Sequence, residues 1–179
     1  MRESPRDREA VSHLGRACGS PPRWARSNRA AIVPPVPARL SPRLGAIVDS
    51  LPVQPHSRVI EIGCGPGAAA RAVAARLVAG HILAIDRSAS AIAAASAAAA
   101  DEIAAGRMSL RHVAVEEFVL QADEEPYDLV FAVRVGALDG RHPKVGERAL
   151  QRIAMATTDG ARLFVDGGDP LRELPIPKS

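Results

Sequence analysis

The chain has 179 residues, of which 47% are hydrophobic and 24% are charged, and its formal net charge is +3. This length and composition predict one globular domain, and no apolar run is long enough to span a membrane. The two cysteines and five histidines show no metal-ligand spacing, so we expect neither a metal site nor a structural disulfide. We therefore expect a cytoplasmic protein that has no membrane partner.

The positive charge is concentrated at the start of the chain. Residues 1–30 hold seven arginines and three acidic residues, whereas the remaining residues carry a net charge of −1, which indicates no nucleic-acid partner. Residues 1–38 are rich in Arg, Pro, Ser and Gly and predict a disordered or extended basic segment, and residues 39–179 predict the globular domain. Three interpretations of the segment stay open: a mis-assigned translation start, a flexible arm, or a lid that docks through Trp24.

The globular part predicts an alternation of helices and strands. In chain order we expect helix 42–50, strand 57–62, helix 68–79, strand 82–86, helix 89–105, strand 108–114, strand 128–133, helix 143–157 and strand 161–166. Continuous apolar strands that alternate with helices predict a mostly parallel sheet covered on both faces.

The segment that says most about function is the loop between the first strand and the second helix. Glycine recurs there at every second position, at Gly63, Gly65 and Gly67, with Cys64 as a small residue between them. A strand, a glycine loop and a helix in this order present backbone N–H groups to a polar or anionic ligand. The loop also fits the loose dinucleotide pattern GxGxxG/A, which by itself is weak.

Two carboxylates near the loop narrow the ligand. Glu61 lies two residues before Gly63, where it would repel a pyrophosphate and attract an ammonium group. Asp86 ends the next apolar run, 19 residues beyond Gly67, at the spacing expected of a carboxylate that binds ribose hydroxyls. Asp86 therefore indicates a nucleoside ligand without distinguishing a dinucleotide from another nucleoside.

Four segments in register over residues 57–135 resemble the motifs of the class I S-adenosylmethionine-dependent methyltransferases. They are the acidic-x-Gly-x-Gly-x-Gly run from Glu61 to Gly67, the acidic strand end at Asp86, the Ala114-Val115-Glu116 segment, and the strand opened by Asp128. The resemblance implies a Rossmann-like, doubly wound α/β fold and S-adenosylmethionine as the cofactor. It implies cofactor contacts at Glu61, Gly63, Cys64, Gly65, Gly67, Asp86, Arg87, Val115 and Glu116.

The end of the chain departs from that family. Only 14 residues follow Val165, and three of them are prolines, so we expect about five strands and no sixth or seventh strand. The fifth strand would then be an exposed edge, which a homodimer, the Pro-rich tail or the N-terminal segment would have to cover.

The acceptor side is less informative, because the Asn-Pro-Pro-Tyr signature of amino-group methyltransferases is absent after the fourth strand. Arg134 would clamp an anionic acceptor, and Asp139 or His142 would accept a proton. The alternative is a turn of solvated charges, and no catalytic residue is assigned. The sequence predicts methyl transfer to an unidentified small molecule. An NAD(P)-dependent oxidoreductase and a non-catalytic cofactor-binding protein stay open.

Overall fold

The computed structural model of the chain describes residues 40–178. The predictions for residues 1–38 lie outside the described residues, and the domain limits 39–179 stay a prediction.

The described part is a six-stranded sheet with helices on both faces. The helices are α1 (Pro42–Ser50), α2 (Ala68–Ala74), α3 (Ala89–Ala98), α4 (Ala100–Ala104) and α5 (Pro143–Met155), and a 3₁₀ turn spans Val115–Glu117. The strands are β1 (Arg58–Ile62), β2 (His81–Asp86), β3 (Met108–His112), β4 (Tyr127–Ala132), β5 (Thr157–Asp166) and β6 (Leu171–Leu174). Their order across the sheet is β3-β2-β1-β4-β5-β6, and β1 to β5 are parallel. The predicted Rossmann-like, mostly parallel fold is confirmed.

The two faces of the sheet bury different apolar sets because side chains alternate along each strand. Val59 and Ala84 pack with α1 and α2 in one cluster, whereas Ile60, Leu83 and Val130 pack with α5 in the other. Glu61 follows Ile60 and has the same parity as Val59, so it lies on the α1–α2 side. It is a carboxylate on an otherwise apolar face, which sets it apart from the rest of β1.

Two predicted helices are shorter or interrupted in the structure. Helix α2 ends at Ala74 because the amides of Val78, Ala79 and Gly80 turn away to donate to the Pro55 carbonyl. The predicted helix 89–105 is two helices that meet at Ala99, whose φ of −107° and ψ of 21° leave the helical region. Neither change moves the glycine loop.

The prediction of five strands was wrong at the C-terminus. Strand β6 pairs antiparallel with β5, with Leu163 opposite Leu174 and Val165 opposite Arg172. The three prolines of the tail lie before or after β6 and none lies within it, so they do not prevent pairing. Strand β5 is therefore covered by the chain's own tail, which was one of the three expected ways of covering it, and the exposed edge that motivated the homodimer is not present in the described residues.

Candidate functional site

The glycine loop joins β1 to α2 at the carboxyl end of the sheet. Gly63, Gly65 and Gly67 all have positive φ, of 71°, 52° and 79°. The amides of Gly63 and Cys64 donate to the Ile85 carbonyl at 2.8 and 3.0 Å, which ties the loop to the end of β2. A Cβ on Gly63 would stand 2.7 Å from Cγ2 of Val135, so a glycine is required there.

The three glycines have different structural roles. Gly63 and Gly65 line a cavity, and nothing lies within 4 Å of where a Cβ on Gly65 would be. Gly67 lines neither cavity described below and is the N-cap of α2, where a Cβ would stand 3.1 Å from Cβ of Ala95. Its missing side chain lets α2 approach α3, so its role in the structure is packing.

The Glu61 side chain is buried, and its carboxyl group is not fully hydrogen-bonded. The residue is 4% exposed, and its Oε2 atom has no hydrogen-bond partner among the described residues. Burial raises the pKa of Glu61 to about 8, the nearby Asp86 charge adds to the rise, and the Ala70 amide opposes it. A buried, unpartnered carboxylate costs stability, and a cationic ligand group would supply the missing partner.

Asp86 lies at the end of β2 and is fixed by two backbone amides. Its Oδ2 atom accepts from the amide of Gly65 at 2.9 Å, and its Oδ1 atom accepts from the amide of Ser88 at 2.8 Å. An ionised carboxylate has about four acceptor positions, so each oxygen keeps capacity for a hydroxyl donor. The contact to Gly65 explains how Asp86, 21 residues away, comes to the loop.

Two cavities open beside these carboxylates and meet at Gly63 and Arg134. The smaller, of about 250 Å³, includes Glu61, Cys64 and Gly65 and is closed on the other side by α1 residues such as Ile47. The larger, of about 650 Å³, includes Asp86 and extends from the ends of β2 and β3 to the start of α5. Because both share Gly63 and Arg134, they form one groove across the carboxyl end of the sheet, where ligands bind in open α/β folds.

One end of the larger cavity gathers the other predicted nucleoside contacts. Arg87, Val115 and Glu116 all line it, together with Ala114. The ring nitrogen Nε2 of His112 lies 3.0 Å from the Arg87 carbonyl and joins the ends of β2 and β3. Val115 and Glu116 belong to the 3₁₀ turn that follows β3, so this turn closes the end of the groove beyond Asp86.

Cys64 is unsuited to act as a nucleophile. The residue is 6% exposed, and burial together with the charges of Glu61 and Asp86 raises the pKa of its thiol to about 12. The thiol therefore stays protonated near neutral pH. Its place in the cavity wall agrees with the prediction of a small loop residue.

Arg134 occupies a constrained turn between the two cavities. Its φ of 59° lies in the left-handed region, and its amide donates to Oδ1 of Asp166 at 2.9 Å. The other oxygen of Asp166 accepts from Arg43 of α1 at 3.1 Å. Asp166 thus joins the turn after β4 to α1 across the smaller cavity.

The other predicted acceptor residues separate into two groups. His142 lines the larger cavity together with Arg141, which sequence reasoning missed. Among residues 40–178, Asp139 lines neither cavity and instead pairs with Arg141 at 2.5 Å. Arg141 directly precedes His142 in the loop before α5, so both residues line the same cavity.

Helix α1 also contributes to the groove. Ser41, Arg43, Leu44 and Ile47 line the smaller cavity opposite the glycine loop. The apolar spacing of this helix predicts that it packs on the sheet, and the resemblance to the methyltransferases implies a place beside the cofactor; the structure shows which of its residues line the cavity. Within the part of the chain that the structure describes, no cluster of His, Cys, Asp and Glu could hold a metal ion. No helix of residues 40–178 combines the length and apolar character of a membrane span.

Comparison with known proteins gives a family match. A family model described as a methyltransferase domain matches residues 59–160, which holds β1 to the first part of β5 and most of the groove. No curated protein sequence matches the chain.

Solved structures match the fold at low sequence identity. The YcgJ protein of Bacillus subtilis has a TM-score of 0.55 at 18% identity, over 69% of this chain and 49% of that one. The [4+2]-cyclase SpnF has a TM-score of 0.56 at 22% identity, over 68% of this chain and 42% of that one. Coclaurine N-methyltransferase bound to N-methylheliamine and S-adenosylhomocysteine has a TM-score of 0.56 at 20% identity, over 68% of this chain and 34% of that one. The chain thus spans about half, or less, of the length of these structures.

Proposed function

Because the chain belongs to the methyltransferase domain family, we propose that it binds S-adenosylmethionine in the groove and transfers the methyl group to a small-molecule acceptor. The cofactor supplies an electrophilic methyl group on a sulfonium, so the protein has mainly to bind and orient it. The observation that carries the proposal is the buried Glu61 carboxylate, whose Oε2 lacks a partner beside the glycine loop.

The residues of the groove fit the cofactor from end to end. In this proposal, Glu61 binds the ammonium group of the methionine part in the smaller cavity, with Gly63, Cys64 and Gly65 lining its path. Asp86 accepts the ribose hydroxyls with the acceptor capacity that the two amides leave free. Arg87, Val115 and Glu116 enclose the adenine in the larger cavity.

The alternative of an NAD(P)-dependent oxidoreductase meets an electrostatic objection. A dinucleotide would place its pyrophosphate at the glycine loop, beside the carboxylates of Glu61 and Asp86. Asp86 already accepts from the Gly65 amide, so one loop N–H group is not free for a phosphate oxygen. A pyrophosphate beside the buried Glu61 would also oppose ionisation of that group and leave its Oε2 without a partner, whereas an ammonium group would supply one, so these contacts disfavour a dinucleotide.

The alternative of another reaction, or of none, rests on the comparisons. A [4+2]-cyclase is among the structures of similar fold, so the fold is compatible with chemistry other than methyl transfer. The larger cavity favours catalysis, because it continues beyond the proposed adenine contacts toward His142 and Val145 of the α5 end. N-methylheliamine in the coclaurine N-methyltransferase structure supports a small-molecule acceptor by analogy.

Isothermal titration of the full chain with S-adenosylhomocysteine and, separately, with NADH tests the proposal. We expect saturable, one-to-one binding of S-adenosylhomocysteine and no heat from NADH. Binding of NADH without S-adenosylhomocysteine would overturn the cofactor assignment. Methyl release from S-adenosylmethionine across a panel of small acceptors then tests catalysis. Tight cofactor binding with no turnover on any acceptor would favour the non-catalytic alternative.

A further inference from the structure

The end of the larger cavity nearest α5 has a charge character of its own. It is formed by the loop after β4 and the first turn of α5, and its lining residues are Arg134, Gly136, Ala137, Arg141, His142 and Val145. Both acidic residues that line this cavity, Asp86 and Glu116, belong to the β2–β3 end. Among the described residues, the α5 end is therefore lined by two arginines and a histidine without a lining carboxylate.

Arg141 is held against the wall of this cavity. Asp139 accepts from its backbone amide at 3.0 Å and from its Nε at 2.5 Å. The Nη2 atom of Arg141 lies 3.5 Å from where a Cβ on Gly136 would stand, and Cδ2 of His142 lies 3.9 Å from the same point. The guanidinium and the imidazole therefore approach one spot on the wall, where Gly136 leaves room.

Asp139 orients Arg141 without occupying the cavity. Oδ2 of Asp139 lies 2.5 Å from both Nε and Nη2, so it occupies one edge of the guanidinium, and the N–H donors of Nη1 stay available. The pair is exposed to solvent, and the hydrogen bonds from the side chain and amide of Arg141 hold the pKa of Asp139 below its usual value. This contact also explains why Asp139, predicted as a proton acceptor, lies outside the lining.

Arg134 contributes the second positive charge from a fixed backbone. Its amide is anchored on Asp166, which in turn is anchored on Arg43. The residue lies where the two cavities meet, so in the proposed cofactor arrangement it separates the methionine end from the α5 end.

We infer that the α5 end of the cavity binds an anionic group, a carboxylate or a phosphate, of the methyl acceptor, through Arg134 and Arg141. Guanidinium groups pair with both anions by charge-assisted and often bidentate hydrogen bonds. The identification of the anion's carrier as the acceptor rests on the proposed function, whereas anion binding itself does not. A carboxylate and a phosphate are both small anions whose oxygen atoms accept hydrogen bonds from a guanidinium.

The test titrates the full chain with sodium benzoate and, separately, with inorganic phosphate, with and without saturating S-adenosylhomocysteine. Ionic strength is held constant so that general screening does not imitate binding. Binding is followed by calorimetry and by the NMR signals of the His142 ring. We expect saturable binding of at least one anion with a shift of the His142 signals. Saturation by benzoate alone identifies a carboxylate acceptor, and saturation by phosphate alone identifies a phosphorylated one.

Matched variants decide whether the proposed arginines are responsible. Arg141→Gln and Arg134→Gln should each lower the affinity for the bound anion at least tenfold. Arg148 is an exposed arginine of α5 that lines neither cavity, so Arg148→Gln should leave this affinity unchanged. Thermal melting and the affinity of Arg141→Gln for S-adenosylhomocysteine report whether the fold is intact. The inference is overturned if neither anion saturates, or if both cavity variants bind as tightly as the unaltered chain. If S-adenosylhomocysteine fails to bind but the anion result holds, the cofactor proposal fails alone.

Discussion

Replacing Glu61 by glutamine should make the protein more stable at alkaline pH. The pKa of Glu61 is about 8 in the folded protein and about 4.5 in the unfolded chain. The folded state therefore binds more protons than the unfolded state between these values, and the free energy of unfolding falls as pH rises through this window. From the two pKa values, the loss between pH 5 and pH 8 is on the order of 3 kcal/mol.

Urea unfolding of the unaltered chain and of Glu61→Gln at pH 5 and pH 8 measures this loss. The variant should gain on the order of 3 kcal/mol relative to the unaltered chain between the two pH values, because glutamine cannot ionise. Glu117→Gln is the matched control, since Glu117 is exposed and lines neither cavity. It should retain the pH dependence of the unaltered chain. An equal pH dependence in Glu61→Gln and the unaltered chain would show that Glu61 does not lose a proton over this pH range.

The same carboxylate should couple cofactor binding to proton release. At pH 7 a group with a pKa of about 8 is mostly protonated, and an ammonium group bound beside it favours the charged form. Binding of S-adenosylhomocysteine at pH 7 should therefore release protons, up to about one per site. Calorimetry in two buffers of different ionisation enthalpy measures the release. It should vanish in Glu61→Gln, whose affinity should also be weaker, and an unchanged release in that variant would contradict the role of Glu61.

Two further substitutions test the rest of the groove. Asp86→Ala should lower the affinity for S-adenosylhomocysteine at least tenfold, which is about 1.4 kcal/mol of binding free energy. Asp101→Ala, at an exposed position of α4, should leave this affinity unchanged. Unchanged affinity in Asp86→Ala would show that the ribose is bound elsewhere. Gly63→Ala should lower the free energy of unfolding by roughly 1–3 kcal/mol, because the new Cβ meets Val135 at 2.7 Å and φ is positive. Gly45→Ala, in helix α1 with open space around it, should instead stabilise by about 0.5–1 kcal/mol in the same urea unfolding experiment, and equal losses in both variants would contradict the steric argument.

The strand–loop–helix core was predictable because its signals are local. Apolar runs that end in Glu61-Ile62 and Asp86 predict buried parallel strands, and the glycine pattern between them predicts the loop, whose three glycines all have positive φ. The contact between Asp86 and the Gly65 amide follows from the parallel pairing of β1 and β2, which brings both strand ends to one edge.

The features that sequence reasoning missed depend on contacts between distant segments. Strand β6 is four residues long and gains its stability from pairing with β5, so its own sequence carries little strand signal. The residues that follow α2 are held by the Pro55 carbonyl, which lies 19 residues before the helix ends at Ala74. Arg141 is held in place by its contacts with Asp139, which a residue pattern does not reveal.

The most direct test of the cofactor site is a crystal structure of the chain with S-adenosylhomocysteine bound, in which the distance from the ligand's amino nitrogen to Oε2 of Glu61 is measured. We expect a hydrogen-bonded ion pair at about 2.7–3.2 Å, with the ribose hydroxyls on Asp86. A ligand whose amino group lies away from Glu61, with that carboxylate still lacking a partner, would contradict it.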